Sequence, residues 1–287
     1  MSLGRRLSTS VLALALVGVA ATACEDEKPP PDTDFDYAAL GDSFTSGPDL
    51  PTISTDGCHR SDHNYPHLVA TQLDDVTLTD VSCGGARTDA VLESQFIQAE
   101  GRVQPPQFEA VSADTDLVTM GFGANDAGFV IAAALDCILF AKADPDGAPC
   151  EEANARKIPR IVGKVQDNLE AALGAIANRA PDARILVVGY PRLFEGSKGC
   201  PKVFPVTDGD VPYVQDSYDQ LNEAVESAAE AAGAEYVDVA AASEGHDVCS
   251  DKPWVNGRRK DKETGAAAYH PTPEEQKAVA ELILDQL

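Results

Sequence analysis

Five short runs rich in apolar and β-branched residues alternate with longer helical patterns along this 287-residue chain, and that alternation leaves few choices of fold. FDYAAL before Gly41, VTLTDVS over 76–82, DLVTMGFG over 116–123, RILVVGY over 184–190 and EYVDVA over 235–240 read as strands. Helical stretches fall between them at Tyr65 to Leu73, Ile158 to Arg179 and Val214 to Ala232. A last helix starts at Pro273, where proline in the first turn and Glu274 and Glu275 near the positive helix end favour it. Strand and helix in alternation predict a parallel sheet with crossover helices on both faces. No internal repeat is evident, so one domain with one large core is expected. In an open sheet of this kind, reactive residues gather outside the carboxyl ends of the strands.

The first residues point to export. Arg5 and Arg6 precede an unbroken apolar or small run from Val11 to Ala23, a signal-peptide pattern too short to span a bilayer. The run ends Ala21-Thr22-Ala23-Cys24, so residues 1–23 read as a leader and Cys24 as a lipidation site that would hold the protein at the outer face of the cell membrane. Free secretion is the alternative, since Ala-x-Ala also suits ordinary signal peptidase. The acidic, proline-rich stretch over 24–34 reads as a solvated tether, and 35–287 as the folded domain.

The formal charge is −25, and a field of this sign argues against nucleic acid or anionic lipid head groups as partners. Contact with the membrane is therefore expected only through the N-terminal lipid, and a monomer is expected. Besides Cys24 there are six cysteines, an even number that in an exported chain implies disulfides. They fall into successive neighbours, predicting Cys58–Cys83, Cys137–Cys150 and Cys200–Cys249. No C-x-x-C spacing supports zinc. The segments from Cys137 to Pro159 and from Pro191 to Pro212 show no strong period and read as stapled surface loops.

Several residues at the expected sheet edge carry chemistry. Gly41-Asp42-Ser43 follows the first strand directly, where a tight glycine turn presents a serine oxygen; capping of the next helix is the bland alternative. SCGGARTDA after the second strand offers the Gly84 and Gly85 N–H groups, and GFGAND after the third offers the Asn125 amide, as donors to a developing oxyanion. His270 stands just before the last helix, and an imidazole is suited to take a serine proton and return it to a leaving group. His59, His63 and His67 recur every fourth residue, but Cys58 and Pro66 argue against one continuous helix, so a polar loop is expected rather than a metal site. Trp254 either lines the site or anchors the loop before His270.

Serine after strand one, glycine after strand two, asparagine after strand three and histidine before the last helix form an order that resembles the SGNH hydrolases, the GDSL esterase and lipase family. GDSFTSG, SCGGA, GFGAND and HPTP match its four blocks from about Tyr37 onward. CHRSDHNYPHLVA over 58–70 resembles the secreted lipase-like actinobacterial branch. The resemblance implies a three-layer α/β/α sandwich around a central parallel five-stranded sheet, flavodoxin-like in outline, and a carboxylic-ester hydrolase that needs no cofactor. It implies Ser43 as nucleophile, His270 as general base and then acid, and an oxyanion hole from the Ser43 and Gly85 N–H groups and the Asn125 amide.

Many family members place an aspartate three residues before the histidine, where this chain has Ala267. The Ala267 carbonyl is therefore expected to orient the imidazole, with Asp261 or Asp247 as other possibilities in the same region. Lipid or small acyl esters are the leading substrates, deacetylation of a polysaccharide is the same chemistry on another substrate, and a non-catalytic surface binding lipoprotein on the same scaffold is the alternative from another class.

Overall fold

The computed structural model describes residues 35–287; the leader, Cys24 and the 24–34 tether lie outside the described residues. The strands are β1 (Phe35–Gly41), β2 (Val76–Asp80), β3 (Gln95–Ile97), β4 (Arg102–Gln104), β5 (Leu117–Gly121), β6 (Arg184–Val188) and β7 (Glu235–Val237). The helices are α1 (Ser43–Ser46), α2 (Tyr65–Ala70), α3 (Asp136–Phe140), α4 (Pro149–Asn154), α5 (Ile158–Arg179), α6 (Val211–Ala232), α7 (Val239–Ala242) and α8 (Pro273–Leu284).

Five strands form one parallel sheet in the order β2-β1-β5-β6-β7. The order turns back on itself at β1, so the carboxyl ends of β1 and β5 lie side by side, with Gly41 in register with Gly121. That crevice is where an open α/β sheet places its ligand. β5 is buried at every position, as expected for a strand covered on both faces. One layer of core packs α5 and α6 against the sheet through Val118, Met120, Val165, Leu169 and Leu221. The opposite layer sets α2 and α8 against Tyr37, Leu117 and Leu186, with Val279 and Ile283 pointing inward.

Disulfides join Cys58 to Cys83, Cys137 to Cys150 and Cys200 to Cys249. The segment from Cys137 to Pro159 departs from its expectation as a surface loop. It contains α3 and α4, and both cysteines are fully buried in the main core. Helices of 5 and 6 residues are too short to show a hydrophobic period. The antiparallel hairpin β3–β4, three residues a strand, escapes sequence reading for the same reason.

Candidate active site

Gly41 ends β1, and a Cβ there would come within 2.0 Å of Thr45 Oγ1, so only glycine lets the chain fold straight into α1. Asp42 caps that short helix, its Oδ1 accepting from Phe44 N at 2.7 Å. The capping alternative for the Gly-Asp-Ser turn is therefore real, and it is the cap that fixes Ser43 in the first helical position, at the mouth of the crevice.

Ser43, Asn125 and His270 line one pocket of about 210 Å³. The rest of its wall is apolar and includes Val130, Leu135, Leu193, Phe204 and Tyr218. The His270 ring lies 6.0 Å from that of Phe44, centroid to centroid. Asn125 donates from Nδ2 to the Ala86 carbonyl at 2.9 Å, with a longer 3.5 Å contact to Asp42 Oδ2. Ala86 follows Gly85, so the loop after β2 touches the oxyanion candidate directly. Gly85 itself, at φ 72°, lines a neighbouring cleft with Arg87 and Asp89, one residue before the Ala86 carbonyl that Asn125 engages.

The group on the imidazole corrects the expectation at Ala267. His270 Nδ1 meets the carbonyl of Ala268 at 2.8 Å, whereas the Ala267 carbonyl accepts from Asn256 Nδ2 at 3.0 Å and from His270 N at 3.3 Å. The cause is Tyr269, a non-glycine residue in the left-handed region at φ 61°, whose turn brings the carbonyl two residues before His270 round to the ring. The segment is clamped from outside as well: Asn256 N donates to His270 O at 2.9 Å and Thr272 N to Trp254 O at 2.9 Å. Asp261 and Asp247 are occupied elsewhere. Asp261 accepts from Glu263 N and Thr264 N, and Asp247 from Glu195 N and Cys249 N. Burial lowers the His270 pKa, opposed by the Ala268 hydrogen bond and the more distant Asp49 charge.

Beneath the site runs a buried polar chain. Asp42 is fully inaccessible; Tyr190 Oη donates to its Oδ2 at 2.7 Å, and the same phenol oxygen accepts from Ala124 N at 3.1 Å. Burial pushes the Asp42 carboxyl up to about 7, against the Tyr190 and Phe44 hydrogen bonds that favour its ionised form. Tyr190 follows β6 at the same sheet edge as Asn125, so the rule that singled out Asn125 would also have found it. On the other side, Gln276 is fully buried; its Nε2 donates to Phe44 O at 2.9 Å and its Oε1 accepts from Tyr65 N at 2.8 Å.

Other predicted residues fall outside the pocket. Trp254 anchors its loop by stacking on His246 at 5.0 Å, and Val255 reaches the pocket instead. His67 lies on α2 with Nδ1 on Asn64 Oδ1, His63 is exposed beside Asp62, and among the described residues no cluster of metal-ligating side chains occurs. Glu275, read as a helix-start charge, is buried, and burial raises its carboxyl to about 8. A feature without a sequence signal is the apolar stripe Ile131, Leu135 and Leu139, each at least 40% exposed, running from the pocket wall over a π-helical turn at Ile131–Leu135 into α3.

A model of the GDSL-like lipase/acylhydrolase family matches residues 39–278. Lipase 2 of Streptomyces coelicolor is 35% identical over 248 residues, covering 84% of this chain and 81% of that protein. The crystal structure of an extracellular lipase from Streptomyces rimosus superposes with a TM-score of 0.70 at 26% identity, over 88% of this chain and 100% of its own. That of phospholipase A1 from Streptomyces albidoflavus gives 0.71 at 26% identity with the same coverage.

Proposed function

Because the chain belongs to the GDSL-like lipase/acylhydrolase family, we propose that its serine-type ester hydrolysis is carried out by Ser43 and His270. Ser43 Oγ attacks the ester carbonyl carbon while His270 Nε2 takes its proton. The carbonyl oxygen becomes an oxyanion held by the N–H groups of Ser43 and Gly85 and by Asn125 Nδ2. Collapse of the tetrahedral intermediate breaks the bond to the alcohol, which leaves with the proton from His270. Water, deprotonated by the same imidazole, then releases the acid from Ser43.

The observation that carries this reading is the convergence of Ser43, Asn125 and His270 on one apolar pocket, with the imidazole engaged at Nδ1 by the Ala268 carbonyl. A carbonyl only accepts, so Nδ1 holds the proton and Nε2 is left as the base. Removing the water around the ring keeps it neutral and competent below the ordinary histidine range. The apolar wall suits an acyl chain, and the Ile131, Leu135 and Leu139 stripe extends that wall outward.

The protein works outside the cytoplasm, where its three disulfides persist. Acylation at Cys24, with residues 24–34 as a tether, would keep it at the membrane face. Hydrolysis of p-nitrophenyl esters from acetate to palmitate by the wild type, Ser43→Ala and His270→Ala tests the pair. Both variants should lose about a thousandfold or more in kcat, while a folded Ser43→Ala protein with wild-type turnover would place the nucleophile elsewhere.

A further inference from the structure

Tyr190 stands two residues beyond the end of β6, buried, and meets the turns of both Ser43 and Asn125. Its backbone has no freedom. Tyr190 N donates to Asn222 Oδ1 at 2.8 Å and Asn222 Nδ2 donates back to Tyr190 O at 2.9 Å, a two-way clamp from α6. A Cβ on the preceding Gly189 would come within 2.3 Å of Tyr236 Oη, so the approach to the clamp suits glycine alone. The ring packs edge-on against Phe44 at 5.2 Å. Tyr190 thus touches the residues on either side of Ser43, Asp42 through its hydroxyl and Phe44 through its ring.

The hydrogens around that phenol are few. Tyr190 gives its one proton to Asp42 Oδ2 at 2.7 Å and accepts from Ala124 N, the residue before Asn125, at 3.1 Å. The Asn125 amide carries two hydrogens. One goes to the Ala86 carbonyl at 2.9 Å; the other has Asp42 Oδ2 at 3.5 Å as its protein neighbour. Among the described residues, the donors on Oδ2 are therefore Tyr190 Oη, close, and Asn125 Nδ2, far. A buried carboxylate oxygen without its short partner draws in whatever donor stands nearest, because a charged acceptor left unpaired is costly.

We propose that Tyr190 is a positioning residue of the oxyanion hole: its hydroxyl occupies Asp42 Oδ2 and so keeps the second Asn125 hydrogen open to the substrate's carbonyl oxygen. The inference rests on Ser43 being the nucleophile and Asn125 an oxyanion donor. Without the hydroxyl, Asn125 Nδ2 closes on Asp42, and Ala124 N loses the acceptor that fixes the turn. The developing oxyanion then lacks a donor although Ser43 and His270 are in place. A phenol that served the fold alone would lower stability in the same way whatever stands at position 125. This one acts through the Asn125 amide, so its effect disappears where that amide is absent.

The test is a double-mutant cycle on p-nitrophenyl butyrate with wild type, Tyr190→Phe, Asn125→Ala and the two combined, each verified as folded by circular dichroism. Tyr190→Phe should lower kcat about tenfold or more, the scale of one hydrogen bond to a charged oxygen, with KM within about twofold. In the Asn125→Ala background the same change should cost less than about twofold. Tyr37→Phe, which removes a buried phenol from Thr119 in the opposite core layer, should stay within about twofold of wild type. Equal losses in both backgrounds, wild-type turnover of Tyr190→Phe, or an equal loss in Tyr37→Phe would overturn the role of Tyr190.

Should Tyr190→Phe fail to fold, Tyr190→Phe/Asp42→Asn decides, since asparagine still caps α1 and presents no charge to capture the amide. It should turn over at least about tenfold faster than Asn125→Ala; turnover at or below that of Asn125→Ala overturns the proposal. A folded Asn125→Ala protein with wild-type kcat removes the oxyanion assignment and this inference with it, whereas additivity in the cycle removes the role of Tyr190 only.

Discussion

Asp42 has a single structural task and three partners that define it. Phe44 N holds one oxygen, Tyr190 Oη the other, and Asn125 Nδ2 stands at 3.5 Å. The turn that carries Ser43, the proposed nucleophile, is thereby joined to the turn that carries Asn125, the proposed oxyanion donor. Asn125→Ala removes a donor that acts when charge develops on the substrate, so kcat should fall by about a hundredfold to a thousandfold with KM little changed; steady-state kinetics on a p-nitrophenyl ester measure both. That Ser43, Asn125 and His270 meet in one pocket is legible because each sits at a strand end or helix start that the hydrophobic pattern defines. The partner of the imidazole was not. Choosing between the Ala267 and Ala268 carbonyls requires knowing that Tyr269 adopts a positive φ, and a tyrosine gives no sign of that. Glycine residues announce such turns, whereas a tyrosine held there by the surrounding hydrogen bonds does not.

Elements were legible in proportion to their length and burial. β5 and β6 stand out as nearly continuous apolar runs because both faces are covered, and α5 has the bounds its period predicts. α6 starts at Val211, a turn earlier than its apolar period indicates, with Pro212 in the first turn. α3, α4 and the β3–β4 hairpin fell below the length at which any period can be seen. Between elements, Gln276 links α8 to α1 through Phe44 O and to α2 through Tyr65 N. Gln276→Ala leaves buried backbone groups unpaired, so it should cost about 2–4 kcal/mol in urea unfolding. The same change should lower kcat more than it changes KM, since it loosens the serine's helix relative to the histidine's.

Stability of the whole molecule should depend on pH through its buried acids. Glu275 is 3% exposed, and burial raises its carboxyl to about 8, with the Gln276 hydrogen bond only partly opposing this. The native state thus holds this proton more tightly than the unfolded chain, whose glutamates ionise near ~4.3. Its contribution to stability is complete below that value and is lost as pH rises through about 8. Glu275→Gln should therefore be near neutral at pH ~4 and more stable than wild type by roughly 1–3 kcal/mol at pH ~9, as read by urea unfolding at the two pH values. An unchanged difference would mean that Glu275 is ionised in the native state. Nothing in the sequence separates Glu275 from its exposed neighbour Glu274, because burial at a helix start depends on the face that α8 turns to the sheet.

The place of α8 in the chain also orders the birth of the protein. Ser43 leaves the ribosome long before His270, and the two share one pocket only where the final helix is seated against α1 and α2. With Ser43 as the proposed nucleophile and His270 as its proposed base, a chain whose last helix is not yet seated lacks the pair, and hydrolysis is expected only once α8 is in place.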